Sequence, residues 1–145
     1  VDLLCDQTTQ TAPVIQDGKR AKVFGVTTPQ RLSSLPSIPT LDEQGLKGCT
    51  KTPMEMMELI DETLTLAQSL LGRFNDTSAS DLGVAFLSLK AGIQGAWLNV
   101  LINLSSLKDK AFRDECCQKG EALLAHAVPI AQESYEKVIK VITEK

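Results

Sequence analysis

Residues 80–104, SDLGVAFLSLKAGIQGAWLNVLINL, decide how this chain folds. Their apolar residues recur at the spacing of a helix, yet glycines stand at 83, 92 and 95 and asparagines at 99 and 103. A glycine inside a helix costs about 1 kcal/mol relative to alanine. An asparagine amide buried without a partner is also costly. A helix that keeps both must be closely approached by something. Ser88, Gly92, Gly95 or Ala96, and Asn99 fall near one face at spacings of three and four. Gly92, Gly95 and Ala96 are therefore candidate helix-contact residues. Two readings of this face stay open: a central packing face whose amides are met by neighbouring backbone, or a subunit contact that also lines a ligand pocket.

The flanks read as helices too. Upstream, Thr52, Pro53 and Glu55 supply an N-cap, a first-turn proline and an acid at the third position. Met56, Leu59, Ile60, Leu64, Ala67, Leu70, Leu71 and Phe74 then form an apolar face that ends near Gly72. Ser78 or Ser80 caps the central helix, with Asp81 favouring its positive end. SSLKD closes it, and a last helix runs from Phe112 through Ile142, with Pro129 expected to kink it.

Before residue 50 the grammar differs. VDLLCD (1–6) and AKVFGVTT (21–28) have strand composition, and residues 8–20 suit a short helix stopped at Gly18. Pro36 and Pro39 hold the next stretch extended, and Thr40 with Glu43 forms a capping box for one turn ending at Gly45. The expected fold is mainly α: a three-helix antiparallel bundle over residues 51–145, preceded by a small strand–helix–strand segment with a proline-rich connection over residues 1–50.

Composition narrows the function. The 145 residues suffice for one domain with a real core. A net charge of −3 leaves no basic footprint, so no nucleic-acid partner is expected. No apolar run reaches the ~18 residues that would span a bilayer, and no leader of secretory type opens the chain, so a cytoplasmic location and no membrane partner are expected. Cys5, Cys49, Cys116 and Cys117 contain no C-x-x-C pair and read as reduced thiols; with one histidine, His126, no metal site is expected. His126, in ALLAHAVP, reads as a packing residue.

Residues 80–112, SDLGVAFLSLKAGIQGAWLNVLINLSSLKDKAF, carry a resemblance. The serine–aspartate helix start, the Gly95-x-x-x-Asn99 spacing, NVLINL and LKDKAF make residues 52–145 similar to the C-terminal half of the formiminotransferase-cyclodeaminase and methenyltetrahydrofolate cyclohydrolase family. The resemblance implies half of an all-helical domain, dimeric, acting on a one-carbon derivative of tetrahydrofolate as substrate, with no tightly bound cofactor. Asp81 is the candidate acid or base, with Asn75 and Ser80 orienting. Asn99 and Asn103 could match a pterin edge, and Lys108 could meet the folate's glutamate tail. Each has a plainer reading: Asp81 as a helix cap, the asparagines as packing residues, Lys108 as a solvated lysine. The family's glycine-rich N-terminal half is absent.

Residues 1–49, with VTTPQRLSSLP and PTLDEQGLKG, instead resemble a fragment of Bug-type solute receptors of tripartite tricarboxylate transporters. Together the two resemblances imply a chimera. The expected partner is a second copy, as a homodimer or higher homo-oligomer. Three functions are open: a folate-linked enzyme fragment with an incomplete site, a non-catalytic self-associating protein, or a carboxylate-binding receptor fragment.

Overall fold

In the computed structural model, the residues described are 23, 25–28 and 30–144. The chain divides into two compact units, Val1–Gly45 and Leu46–Lys145. The expected strand at 1–6 and helix at 8–20 lie outside the described residues.

In the first unit, the run expected as a strand at 21–28 forms no strand among the described residues. A single parallel bridge joins Val26 to Thr40. Val26 N donates to Pro39 O at 3.0 Å and Leu41 N to Val26 O at 2.9 Å. Pro39 has no N–H to donate, and Leu41 already begins a helix, so the ladder cannot lengthen. The capping box at that helix start is formed: Glu43 N donates to Thr40 Oγ1 at 3.0 Å, and Thr40 N donates to Glu43 Oε2 at 3.1 Å. Arg31 Nε reaches the same carboxylate oxygen at 2.9 Å.

That helix, α1, does not stop at Gly45. It runs unbroken as Leu41–Gln68, 28 residues, straight through Thr52 and Pro53. The expected N-terminus at Thr52 is therefore helix interior. Pro53 removes one backbone donor and strands the carbonyl four residues earlier, that of Cys49. The stranded carbonyl is met from outside α1: Asn103 Nδ2 donates to Cys49 O at 3.1 Å. Ser69 to Phe74 leave the helix through turns, with Gly72 at φ +77.

After a 3₁₀ turn at Asp76–Ser78 comes α2, Ala79–Ser105, 27 residues. Ser78 occupies its N-cap position but makes no side-chain cap bond, so neither expected serine cap is formed there; the turn itself, with Ser78 N bonded to Asn75 O at 2.8 Å, leads the chain in. The third helix, α3, is Lys110–Thr143, 34 residues, continuous through Pro129. Its cap is Asp109, which accepts from Phe112 N at 3.1 Å.

The second unit is a three-helix bundle. Helices α1 and α2 are antiparallel, with Cys49 beside Asn103 and Ile60 beside Gly92. Helices α2 and α3 are antiparallel, with Lys90 beside Gln132 and Gly83 beside Val138. Hence α1 and α3 run parallel, tied by Lys47–Asp109, Glu58–Lys119 and Asp61–His126. The core is Met54, Met57, Leu64, Phe86, Ile93, Val100, Leu107, Ala127, Ala131 and Val138. Of the face expected from Met56 to Phe74, Leu64 is buried and Ile60, Ala67, Leu71 and Phe74 pack against the core, but Met56, Leu59 and Leu70 are exposed and Met54 and Met57 go inside instead. On α3 small residues, Gly120, Ala127, Ala131 and Ser134, are buried, while Ile139 and Ile142 stay outside. Small residues let α2 approach. A methyl group built on Gly120 would overlap the six-membered ring of Trp97.

Averaged over a window, α2 is long and apolar enough to cross a bilayer by length and composition. Most of that window is not buried within the bundle, and a single such helix is weak evidence for a span.

Candidate functional site

The sequence-derived site residues separate along α2. Asn75, Ser80 and Asp81 are all exposed at the end where α2 begins. Lys108 is exposed in the turn beyond the other end. With a rise of 1.5 Å per residue, Asp81 lies about 36 Å from the far end of α2 at Ser105, beyond which Lys108 follows, too far for the two to hold one folate between them.

Between those ends, the amides are occupied by backbone. Asn99 Nδ2 donates back to Gly95 O, one turn earlier, at 3.1 Å, and Asn103 Nδ2 serves Cys49 O. The three helix-contact candidates also divide. Gly92 faces α1, where a methyl would come within 3.2 Å of Ile60 Cδ1, and Ala96 is buried. Gly95 has nothing within 4 Å of the place where a methyl would be. The face read as continuous from the sequence thus straddles the bundle's edge.

Two concave features lie elsewhere. A cleft of about 400 Å³ on the α1–α3 seam is lined by Lys47, Met54, Phe112, Cys116, Lys119 and neighbouring residues. Its lysines are partly committed. Lys47 Nζ bonds Asp109 Oδ2 at 2.6 Å and stands 5.1 Å from the Phe112 ring centroid. Lys119 pairs with Glu58, and that hydrogen bond holds its ammonium above the usual lysine range. Burial, then Glu115, pushes the Cys116 thiol up, so it stays protonated at neutral pH. A shallower groove of about 610 Å³ lies between α2 and α3, lined by Gln94, Trp97, Leu98, Leu124, Val128 and Pro129 among others. It opens where Pro129 stands inside α3.

His126 is not a packing residue. It is exposed, and its Nδ1 lies 2.6 Å from Asp61 Oδ1. Position 126 lies on a helix whose buried residues include 120, 127 and 131, so the one-residue offset from Ala127 decides its exposure. Sequence reasoning also missed the Asp109 cap, for which D-x-x-F was the local signal. Among the described residues no cluster of three His, Cys, Asp or Glu side chains could hold a metal ion.

Comparison with known proteins follows the helices. Residues 41–122 match a family model described as formiminotransferase-cyclodeaminase. The chain is 36% identical over 96 residues to a methenyltetrahydrofolate cyclohydrolase of Methylorubrum extorquens, covering 66% of this chain and 46% of that protein. It is 32% identical over 85 residues to the formimidoyltransferase-cyclodeaminase of Rattus norvegicus, covering 59% of this chain and 16% of that one. A separate similarity, 47% over 47 residues, is to a UPF0065 protein of Agrobacterium vitis, covering 32% of this chain and 13% of that protein. The chain thus spans less than half the length of each of these relatives.

Proposed function

Since this chain belongs to the formiminotransferase-cyclodeaminase family, we propose that it binds a one-carbon derivative of tetrahydrofolate on its helical unit. The carrying observation is the 36% identity over 96 residues to an enzyme named for methenyltetrahydrofolate. A methenyl carbon bridging two nitrogens is electrophilic, and its hydrolysis needs a water held and deprotonated beside it. A cyclodeamination instead needs a proton delivered to departing ammonia. Asp81, with Ser80 and Asn75 at the start of α2, is the carboxylate placed in solvent reach for either task. Lys108, beyond the other end of α2, is too far from Asp81 in one copy to meet the tail of the same folate.

Calorimetric titration of the whole chain with methenyltetrahydrofolate tests the reading. Saturable heat supports it; no heat at millimolar ligand overturns it. Turnover is followed separately by loss of methenyltetrahydrofolate absorbance. If conversion occurs, Asp81→Ala should abolish it and leave binding within a few fold.

A second reading is favoured by the separation of the site residues along α2: the bundle folds and self-associates without turning over a folate. The 47% identity over 47 residues to a UPF0065 protein supports a chain composed of two pieces. Thermal stabilisation by small dicarboxylates at millimolar concentration would assign the matched piece a ligand of its own.

A further inference from the structure

The cleft on the α1–α3 seam has no part in the folate reading, and its walls are built from two regular helix faces. On α1, Lys47, Thr50, Lys51 and Met54 recur at spacings of three and four, so they share one side. On α3, Phe112, Glu115, Cys116 and Lys119 do the same. Gly48 adds no side chain at the rim, where a methyl would meet nothing within 4 Å. The volume of about 400 Å³ lies at the small end of the range for ligand sites, about 300–1,000 Å³. It suits a molecule the size of an amino acid rather than a whole folate.

The floor of the cleft is apolar and uncharged. Met54 and Cys116 are buried and Phe112 is half-buried. Burial keeps the thiol protonated at neutral pH, so the floor offers a thioether, a thiol and a ring. Sulfur and ring together favour a large apolar group, an aromatic one above all. The rim, by contrast, carries charge of both signs. Lys47 is tied to Asp109 at 2.6 Å and Lys119 to Glu58, so neither is a free cation. The Thr50 hydroxyl is spent on Leu46 O at 2.7 Å. One group on each wall remains. On α1, Lys51 meets Glu55 at 3.4 Å, with side chains 75% and 59% exposed, a pair that is worth little. On α3, Glu115 forms no ion pair among the described residues. A purely anionic ligand would be opposed by Glu115, and a purely cationic one by Lys51. A zwitterion meets both, and the flexible stem of lysine lets the two charges converge on groups one carbon apart.

We propose that this cleft binds a free α-amino acid with a large apolar side chain. The side chain lies on Met54, Phe112 and Cys116, the carboxylate takes the place of Glu55 on Lys51, and the ammonium meets Glu115. Each rim charge, being exposed, contributes at most about five-fold in affinity, so the complex is of millimolar strength. The site stands apart from Asn75, Ser80 and Asp81 at the start of α2, and the proposal does not rest on the folate reading.

The test uses the whole chain and L-phenylalanine, without folate, so it can fail independently of that reading. Calorimetry should show saturable binding at millimolar concentration. The ligand should slow the labelling of Cys116 by N-ethylmaleimide and leave that of Cys49, which does not line the cleft, unchanged. 3-Phenylpropionate lacks the ammonium and phenethylamine lacks the carboxylate; each should bind about five-fold more weakly. Lys51→Gln should weaken L-phenylalanine by about the same factor without weakening phenethylamine. Glu115→Gln should weaken L-phenylalanine likewise without weakening 3-phenylpropionate. Both positions are exposed, so the helical circular dichroism spectrum should not change. No saturable binding would overturn the proposal. So would 3-phenylpropionate or phenethylamine binding as tightly as L-phenylalanine, affinity indifferent to both substitutions, or binding that leaves Cys116 unprotected.

Discussion

The bond from Asn103 to Cys49 O makes a quantitative prediction, because it repairs a defect with a known cause. Pro53 removes the N–H that would have bonded the Cys49 carbonyl, and Asn103 Nδ2 fills the gap at 3.1 Å. Asn103→Ala should therefore leave a helix-interior carbonyl short of its partner and cost about 1–1.5 kcal/mol. Pro53→Ala should stabilise α1, since it restores the donor and relieves the crowding of the preceding turn. In that second background the carbonyl has the restored backbone N–H one turn on, and Asn103→Ala should cost about 0.5 kcal/mol or less. The double-mutant cycle should then show a coupling of about 1 kcal/mol between two residues on different helices. Urea unfolding followed by far-ultraviolet circular dichroism and by Trp97 fluorescence measures it, at one protein concentration so that any association is held fixed. Equal costs for Asn103→Ala with and without Pro53 would refute the reasoning: the amide would then be an ordinary surface group, and the proline's missing donor would be tolerated by water.

Other outcomes follow from single sites. Gly120→Ala would drive a methyl into the Trp97 ring and should destabilise the bundle by about 1–3 kcal/mol, with a shift in tryptophan emission. Ser134 is fully buried and its hydroxyl has no hydrogen-bond partner, so Ser134→Ala should raise the urea midpoint, by about 1 kcal/mol in stability. Cys49 is exposed, whereas Cys116 is buried and its thiol is held above its ordinary range. Of the three described cysteines, iodoacetamide under mildly alkaline conditions should therefore label Cys49 first and Cys116 last, as peptide mass spectrometry would record.

Much of the helical unit was legible because α2 and α3 carry long apolar periodicity, which composition cannot mimic over 27 and 34 residues. The start of α1 was legible as the Thr40–Glu43 capping box, but its continuation past Gly45 and through Pro53 was not. Thr52-Pro53 has the form of an N-terminus, and Thr40 with Glu43 has the form of another; local chemistry cannot choose between them. The structure uses the first box and runs through the proline, because a side chain on another helix supplies the missing bond. Tertiary contact overruled a local signal. The same holds for the buried face of α1. Met56 and Met57 are equally apolar, and which one points inward depends on where α2 lies. The candidate site was legible as residue types but not as a place, since α2 holds Asp81 at its start and reaches Lys108 only beyond its other end.

The parallel pair α1 and α3 shows how this bundle divides stability from register. Its apolar contacts would survive a slip of one helical turn, because the core positions repeat every three or four residues. The polar contacts would not. Lys47–Asp109, Glu58–Lys119 and Asp61–His126 join the two helices at a nearly constant sequence offset, so one slip breaks all three. Exposed pairs of this kind contribute little energy singly, about 0–1 kcal/mol each. Their weight lies in the comparison between registers rather than between folded and unfolded chain. Lys47 also stands over Phe112, and Asp109 also caps α3, so the pair at the start of α3 fixes where that helix begins as well as what it faces. Helix α2 has no comparable set of charged contacts among the described residues to hold it in place. Its register against α1 and α3 rests on the close steric fits at Gly83, Gly92 and Gly120 and on the two hydrogen bonds made by Lys90 and Asn103. A helix positioned by shape on its inner side can remain apolar on its outer side, and that is the property the glycines and the asparagine of residues 80–104 make possible.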